Sequence, residues 1–101
     1  MTLDTSSELG SLLHQQRDRI LEIAARHRGS RVRVFGSVAR GETKAASDID
    51  FLIDFEPGSS LFDLLHMTDE LEELLGRRVD VISAGGLKER DDRIRSEAIE
   101  L

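Results

Sequence analysis

The run Asp48-Ile49-Asp50-Phe51-Leu52-Ile53-Asp54-Phe55 constrains the fold more than any other stretch of this chain. In a strand, successive side chains point to opposite faces. Ile49, Phe51, Ile53 and Phe55 then share one face, and Asp48, Asp50, Leu52 and Asp54 share the other. The first face requires a core to cover it. The second brings acidic side chains together. The run therefore reads as a strand with one face on a core and carboxylates on the other.

A second strand is expected upstream, at residues 31–35, where polar and apolar residues alternate in Arg-Val-Arg-Val-Phe. Gly36 ends it. A short helical turn through Val38, Ala39 and Arg40 is expected before Gly41, and residues 42–47 read as a loop. Before these strands, Leu9, Leu12, Leu13, Ile20, Leu21 and Ala24 recur at helical spacing. That predicts one helix over residues 7–27, capped by Ser6 or Ser7 and stopped by Gly29, with Gly10 as its weak point. Residues 57–60, Pro-Gly-Ser-Ser, break the chain after the second strand. A long helix over residues 61–75 follows, with Ser60 as its cap and Gly76 as its left-handed stop. Residues 79–82 read as a third short strand, residues 83–86 as a break, and residues 87–101 as a last helix with a thin apolar stripe. The order helix, strand, strand, helix, strand, helix predicts a small α/β (α+β) layer fold with a three-stranded sheet.

Composition narrows the function classes. With 101 residues the chain is expected to form a single domain over 1–101. There is no cysteine, which removes disulfides, zinc–thiolate sites and cysteine nucleophiles. No apolar run approaches the roughly 18 residues of a membrane span. The first residues lack the basic and apolar regions of a signal peptide, so a cytoplasmic location is expected. The net charge of -6 argues against binding a nucleic acid backbone, which needs an excess of Lys and Arg. With no Trp or Tyr and four Phe, the chain also lacks stacking platforms for single strands.

Asp48 and Asp50 lie two apart on a strand, so their carboxylates point the same way. Like charges that close repel each other unless a cation sits between them. Taken alone, the pair also suits a solvated strand edge. Asp80 adds to it, because it interrupts the apolar run Val79-Asp80-Val81-Ile82, where an unpaired buried carboxylate is expensive. If the third strand lies beside the second, Asp80 joins Asp48 and Asp50 in a cluster suited to two metal ions. The other reading of Asp80 is a salt bridge to Arg77 or Arg78, or exposure on an edge. Gly36 would let the backbone approach a phosphate, and Ser37 would add a hydroxyl donor. Arg40 could pair with phosphate oxygens, or with Glu42 at the surface. Asp54 reads as a solvated strand end. His14, His27 and His66 show no ligand-like spacing. Arg17, Arg19, Arg26, Arg28, Arg31 and Arg33 make the first third locally basic.

These residues resemble a known pattern. Gly36-Ser37, ten residues, then Asp48-Ile49-Asp50 is similar to the signature of the polymerase-β-type nucleotidyltransferase superfamily. The fuller form, Gly36-Ser37-Val38-Ala39-Arg40-Gly41-Glu42 with Ser47-Asp48-Ile49-Asp50, resembles its minimal, MNT-type branch. Residues 61–65 (Leu-Phe-Asp-Leu-Leu), residues 71–77 and Val79-Asp80-Val81 agree with it too. The resemblance runs from about residue 31 to the end.

The resemblance implies a nucleotidyltransferase that moves AMP from ATP to a hydroxyl. Gly36, Ser37 and Arg40 would bind the nucleoside triphosphate. Asp48 and Asp50 would hold two Mg²⁺ ions, and Asp80 would complete the metal site and help deprotonate the acceptor. Family members also resemble antitoxins that place AMP on a tyrosine of a partner HEPN-domain ribonuclease toxin. The alternatives are an antitoxin that acts by binding alone, and a transferase for a small-molecule acceptor.

Overall fold

In the computed structural model, residues 7–41, 48–87 and 91–101 are described. Helix α1 spans Glu8–Gln15, and the Ser7 hydroxyl caps it by accepting the Gly10 N–H at 3.0 Å. Helix α2 spans Arg17–Arg26. The single helix expected over residues 7–27 is thus two, parted at Gln16, whose backbone sits at φ -98°, ψ 9°. Leu9 and Leu13 of α1 and Ile20, Ile23 and Ala24 of α2 all reach the same core.

Strand β1 runs Gly29–Phe35 and β2 runs Ile49–Phe55, paired antiparallel. Gly29 was expected to stop the first helix. Instead the left-handed residue is Arg28, with φ 64°, and Gly29 opens β1. Glycine is needed there for space. A Cβ on Gly29 would stand 2.8 Å from Met67 Cε, 3.0 Å from the Ala24 carbonyl and 3.0 Å from Ile53 Cγ2.

Helix α3 spans Leu61–Leu75 as the sequence predicts. Asp63 accepts the Ser60 N–H at 2.9 Å in a capping box, and Gly76 closes the helix at φ 66°. The helix crosses over the sheet and returns the chain to β3, Val79–Ser83, parallel to β2. Parallel strands require such a crossover. A short 3₁₀ turn, Ala84–Gly86, follows.

The last segment corrects the sequence reading. The helix expected to reach residue 101 is short, α4 at Asp92–Glu97, and ends in a fourth strand, β4 at Ile99–Glu100, antiparallel to β1. The sheet is therefore four-stranded, in the order β3-β2-β1-β4, rather than three-stranded. Burial is the physical reason. Ile99 is 3% exposed opposite Val34, a position that helix α4 could not give it.

One face of the sheet is covered by α1, α2 and α3. Val32, Val34, Ile49, Phe51, Ile53, Val79, Val81 and Ile99 pack there against Leu13, Ile20, Met67 and Leu71. Burying each such side chain contributes about 1.5–3 kcal/mol. Between the end of α2 and α3, His27 lies 2.5 Å from Glu70 Oε2, and the other carboxylate oxygen, Oε1, faces Arg26 at 3.5 Å. The His27 bond holds the Glu70 carboxyl below its ordinary range. Among the described residues, no helix is long and apolar enough to cross a membrane.

Candidate active site

The acids lie where β2 and β3 begin. Asp50 and Asp80 are register partners across the parallel pair, so their backbones sit one strand spacing apart, about 4.8 Å. Asp48 immediately precedes β2, and the Ile49 N–H donates to the Arg78 carbonyl at 3.0 Å, fastening the starts of the two strands together. Asp80 and Asp48 both lie close enough to act on Asp50. Burial pushes the Asp50 carboxyl above its ordinary value, and the charges of Asp80 and then Asp48 add to the effect, while Arg40 opposes it.

Asp80 is exposed on the edge strand β3, the placement that the sequence offered as its alternative to burial. Its place in an apolar run reflects Val79 and Val81, which turn to the core, while Asp80 turns away from it.

Gly36 follows β1, whose last residue, Phe35, pairs with Asp50. It adopts φ 73°, a left-handed conformation that favours glycine. A Cβ on it would lie 2.4 Å from Asp50 Oδ2. Backbone and carboxylate thus meet with no room for a side chain between them. Ser37 sits next in the turn, half-buried, and Val38 anchors the turn in the core at 1% exposure. The Arg40 N–H donates to the Gly36 carbonyl at 3.1 Å, closing the one helical turn that the sequence suggested.

Arg40 forms an ion pair with Glu97 at the end of α4. Its expected surface partner, Glu42, lies outside the described residues, as do Ser47 and the loop of residues 42–47. Asp54 is not merely a solvated strand end. Arg33 Nη2 bonds its Oδ1 at 2.7 Å, and Arg33 Nε is buried without a partner. Sequence reasoning also passed over Glu97. Only its position two residues before Ile99, which the structure buries, hints at an inward role.

Carboxylate oxygens are the donors that Mg²⁺ prefers, and it is usually held by one or two carboxylates plus waters and substrate phosphates. Among the described residues, no three acidic or histidine side chains converge tightly enough to enclose an ion alone. The like charges of Asp80 and Asp48 beside the half-buried Asp50, and the bare glycine next to it, nevertheless suit a cation that is completed by phosphate oxygens.

The comparison with protein families settles the kinship: the nucleotidyltransferase domain matches residues 17–101. The chain belongs to the nucleotidyltransferase domain family. A Methanocaldococcus jannaschii protein named as a protein adenylyltransferase is 40% identical over 90 residues, covering 88% of this chain and 97% of the relative. Protein adenylyltransferase MntA of Thermococcus cleftensis is 39% identical, covering 87% of this chain and 86% of the relative. A solved minimal nucleotidyltransferase superposes with a TM-score of 0.82 at 47% identity, covering 90% of this chain and 94% of that chain. A chain from a toxin–antitoxin structure with AMP-PNP shares the fold, with a TM-score of 0.71 at 15% identity, covering 82% of this chain and 69% of that one.

Proposed function

We propose that this nucleotidyltransferase domain transfers AMP from ATP to a hydroxyl of a partner protein, in a Mg²⁺-dependent reaction. The acceptor is a tyrosine of a HEPN-domain ribonuclease toxin, and the modification silences the toxin. The observation that carries the reading is the register of Asp50 against Asp80, with Asp48 and Gly36 beside them. Relatives named as protein adenylyltransferases support protein as the acceptor class.

In this reading the acceptor oxygen attacks the α-phosphorus of ATP. The bond from that phosphorus to the β-phosphate bridge breaks, and pyrophosphate leaves. Asp48 and Asp50 would hold two Mg²⁺ ions, with Asp80 completing the site. Bound there, Mg²⁺ supplies charge neutralisation on the transferred and leaving phosphates. Asp80 takes the proton from the acceptor hydroxyl. Its exposure suits this role, because the incoming hydroxyl must reach it from solvent. Gly36 and Ser37 bring a bare backbone and a hydroxyl to the phosphates. Arg40, fixed by Glu97, adds a guanidinium. The proposed site of action is the cytoplasm, where ATP is available.

The test mixes the purified chain with the partner toxin, α-labelled ATP and Mg²⁺. Label should appear on the toxin, and should be lost on adding a chelator and in Asp48→Asn, Asp50→Asn and Asp80→Asn. If no label appears while the Asp48→Asn/Asp50→Asn variant still neutralises the toxin, the chain acts by binding alone. Label that appears only on a small-molecule acceptor would instead assign it to that class.

A further inference from the structure

Leu61, Phe62 and Leu65 stand 69%, 71% and 47% exposed at the start of α3. Large apolar side chains left this open are normally a contact surface when they adjoin one another. These three do adjoin, on neighbouring turns of one helix. Leu61 also lines a groove of about 290 Å³, together with Phe55, Ser59, Ser60, Leu64 and Ser83. The core face of the helix is the opposite one, carrying Met67, Leu71 and Leu75.

The exposed stripe continues down α3 as Phe62, Leu65, Asp69 and Glu73, at spacings of three and four. Helix α3 has five acids, Asp63, Asp69, Glu70, Glu72 and Glu73, and no Lys or Arg. Three are engaged internally: Asp63 by the Ser60 N–H, Glu70 by His27 and Arg26, and Glu72 by the Val79 N–H. Asp69 and Glu73 are exposed and make no ion pair among the described residues. The stripe is thus apolar at one end and acidic at the other, where Arg19 and Arg26 line the hollow on the α2 side of Glu73 and Asp69 carries the outermost charge, on a chain of net charge -6.

We infer that the outer face of α3 is a docking surface for an amphipathic helix of a partner protein, one whose apolar residues seat against Leu61, Phe62 and Leu65 and whose Lys or Arg side chains lie along Asp69 and Glu73. Charge complementarity selects a basic partner and rejects an acidic one. The surface lies where β2 ends. Asp50 is five residues back along that strand, about 16 Å away at 3.3 Å per residue. A helix docked there leaves the acids open, so a docked partner presents its acceptor from a different segment. The surface does not depend on the transfer reaction, and it is tested without nucleotide.

The probes are two labelled helical peptides with the same Leu stripe, one flanked by Lys and one by Glu, titrated with the full chain by fluorescence anisotropy. The Lys peptide should bind and the Glu peptide should not. Phe62→Ser with Leu65→Ser should weaken Lys-peptide binding about tenfold or more. These side chains are exposed, so the fold should survive, and circular dichroism checks it. Should that variant unfold, Asp69→Lys with Glu73→Lys carries the test by transferring binding to the Glu peptide. Equal binding of both peptides, or affinity unchanged in the variants, would overturn the inference. So would a wild-type dimer in light scattering that Phe62→Ser dissolves, because the face would then belong to a second copy.

Discussion

In the proposed reaction, Asp50 is the residue at which stability and function conflict. Its carboxyl is raised by burial and by two like charges. The folded state therefore binds a proton there more tightly than the unfolded state does. Stability from this group falls as pH rises from the ordinary carboxylate range through the raised value, and stays reduced at neutral pH. Asp50→Asn should therefore raise the melting temperature by a few degrees at pH 7 while abolishing transfer. Melts repeated below the ordinary carboxylate range should show the gap closing, whereas a gap independent of pH would mean that charge is not its cause. Gly36 makes the opposite prediction. Gly36→Ala forces a Cβ into a left-handed conformation, costing about 1–2 kcal/mol, and drives it against Asp50. Displacing that carboxylate should lower the transfer rate about a hundredfold, and should do so even where the variant remains fully folded by circular dichroism.

Among the elements, the short C-terminal pair does the most with the least sequence. Strand β4 pins Ile99 to Val34, and this places Glu97 against Arg40. Glu97→Gln should loosen Arg40 and raise the KM for ATP about three- to tenfold, with kcat little changed, as expected for lost charge-assisted positioning. A fall in kcat alone would count against it. This pair was also the least legible part of the chain. A two-residue strand has no periodicity to detect, and Ile94, Ala98 and Leu101 continue a helical spacing that tertiary burial of Ile99 overrides. Gly29 misled for a related reason. A helix-stopping glycine and a close-packing glycine look identical in sequence, and only Met67 and Ala24, brought there by the fold, tell them apart. Gly29→Ala should destabilise the domain by about 1–3 kcal/mol in urea unfolding. By contrast, β1, β2, β3 and α3 were readable because alternation, caps and helical spacing all agreed there. The acids could be named as a set, but their convergence required the β2–β3 register, which no local pattern encodes.

At the scale of the whole molecule, the sheet divides the labour. One face is closed by α1, α2 and α3, and the starts of β2 and β3 hold the acids, while the far end of β2 meets the open stripe of α3. The parallel pairing of β2 with β3 also has a kinetic side. Strands β1 and β2 can meet as neighbours in sequence, but β3 docks only after α3 has crossed over, and such distant contacts are slow to form. Asp50 and Asp80 confront each other at that step. Their repulsion therefore falls on the climb to the folding barrier, and Asp80→Asn should speed refolding in stopped-flow experiments more than it slows unfolding. The chain assembles its acidic site against the resistance of the charges that the site needs.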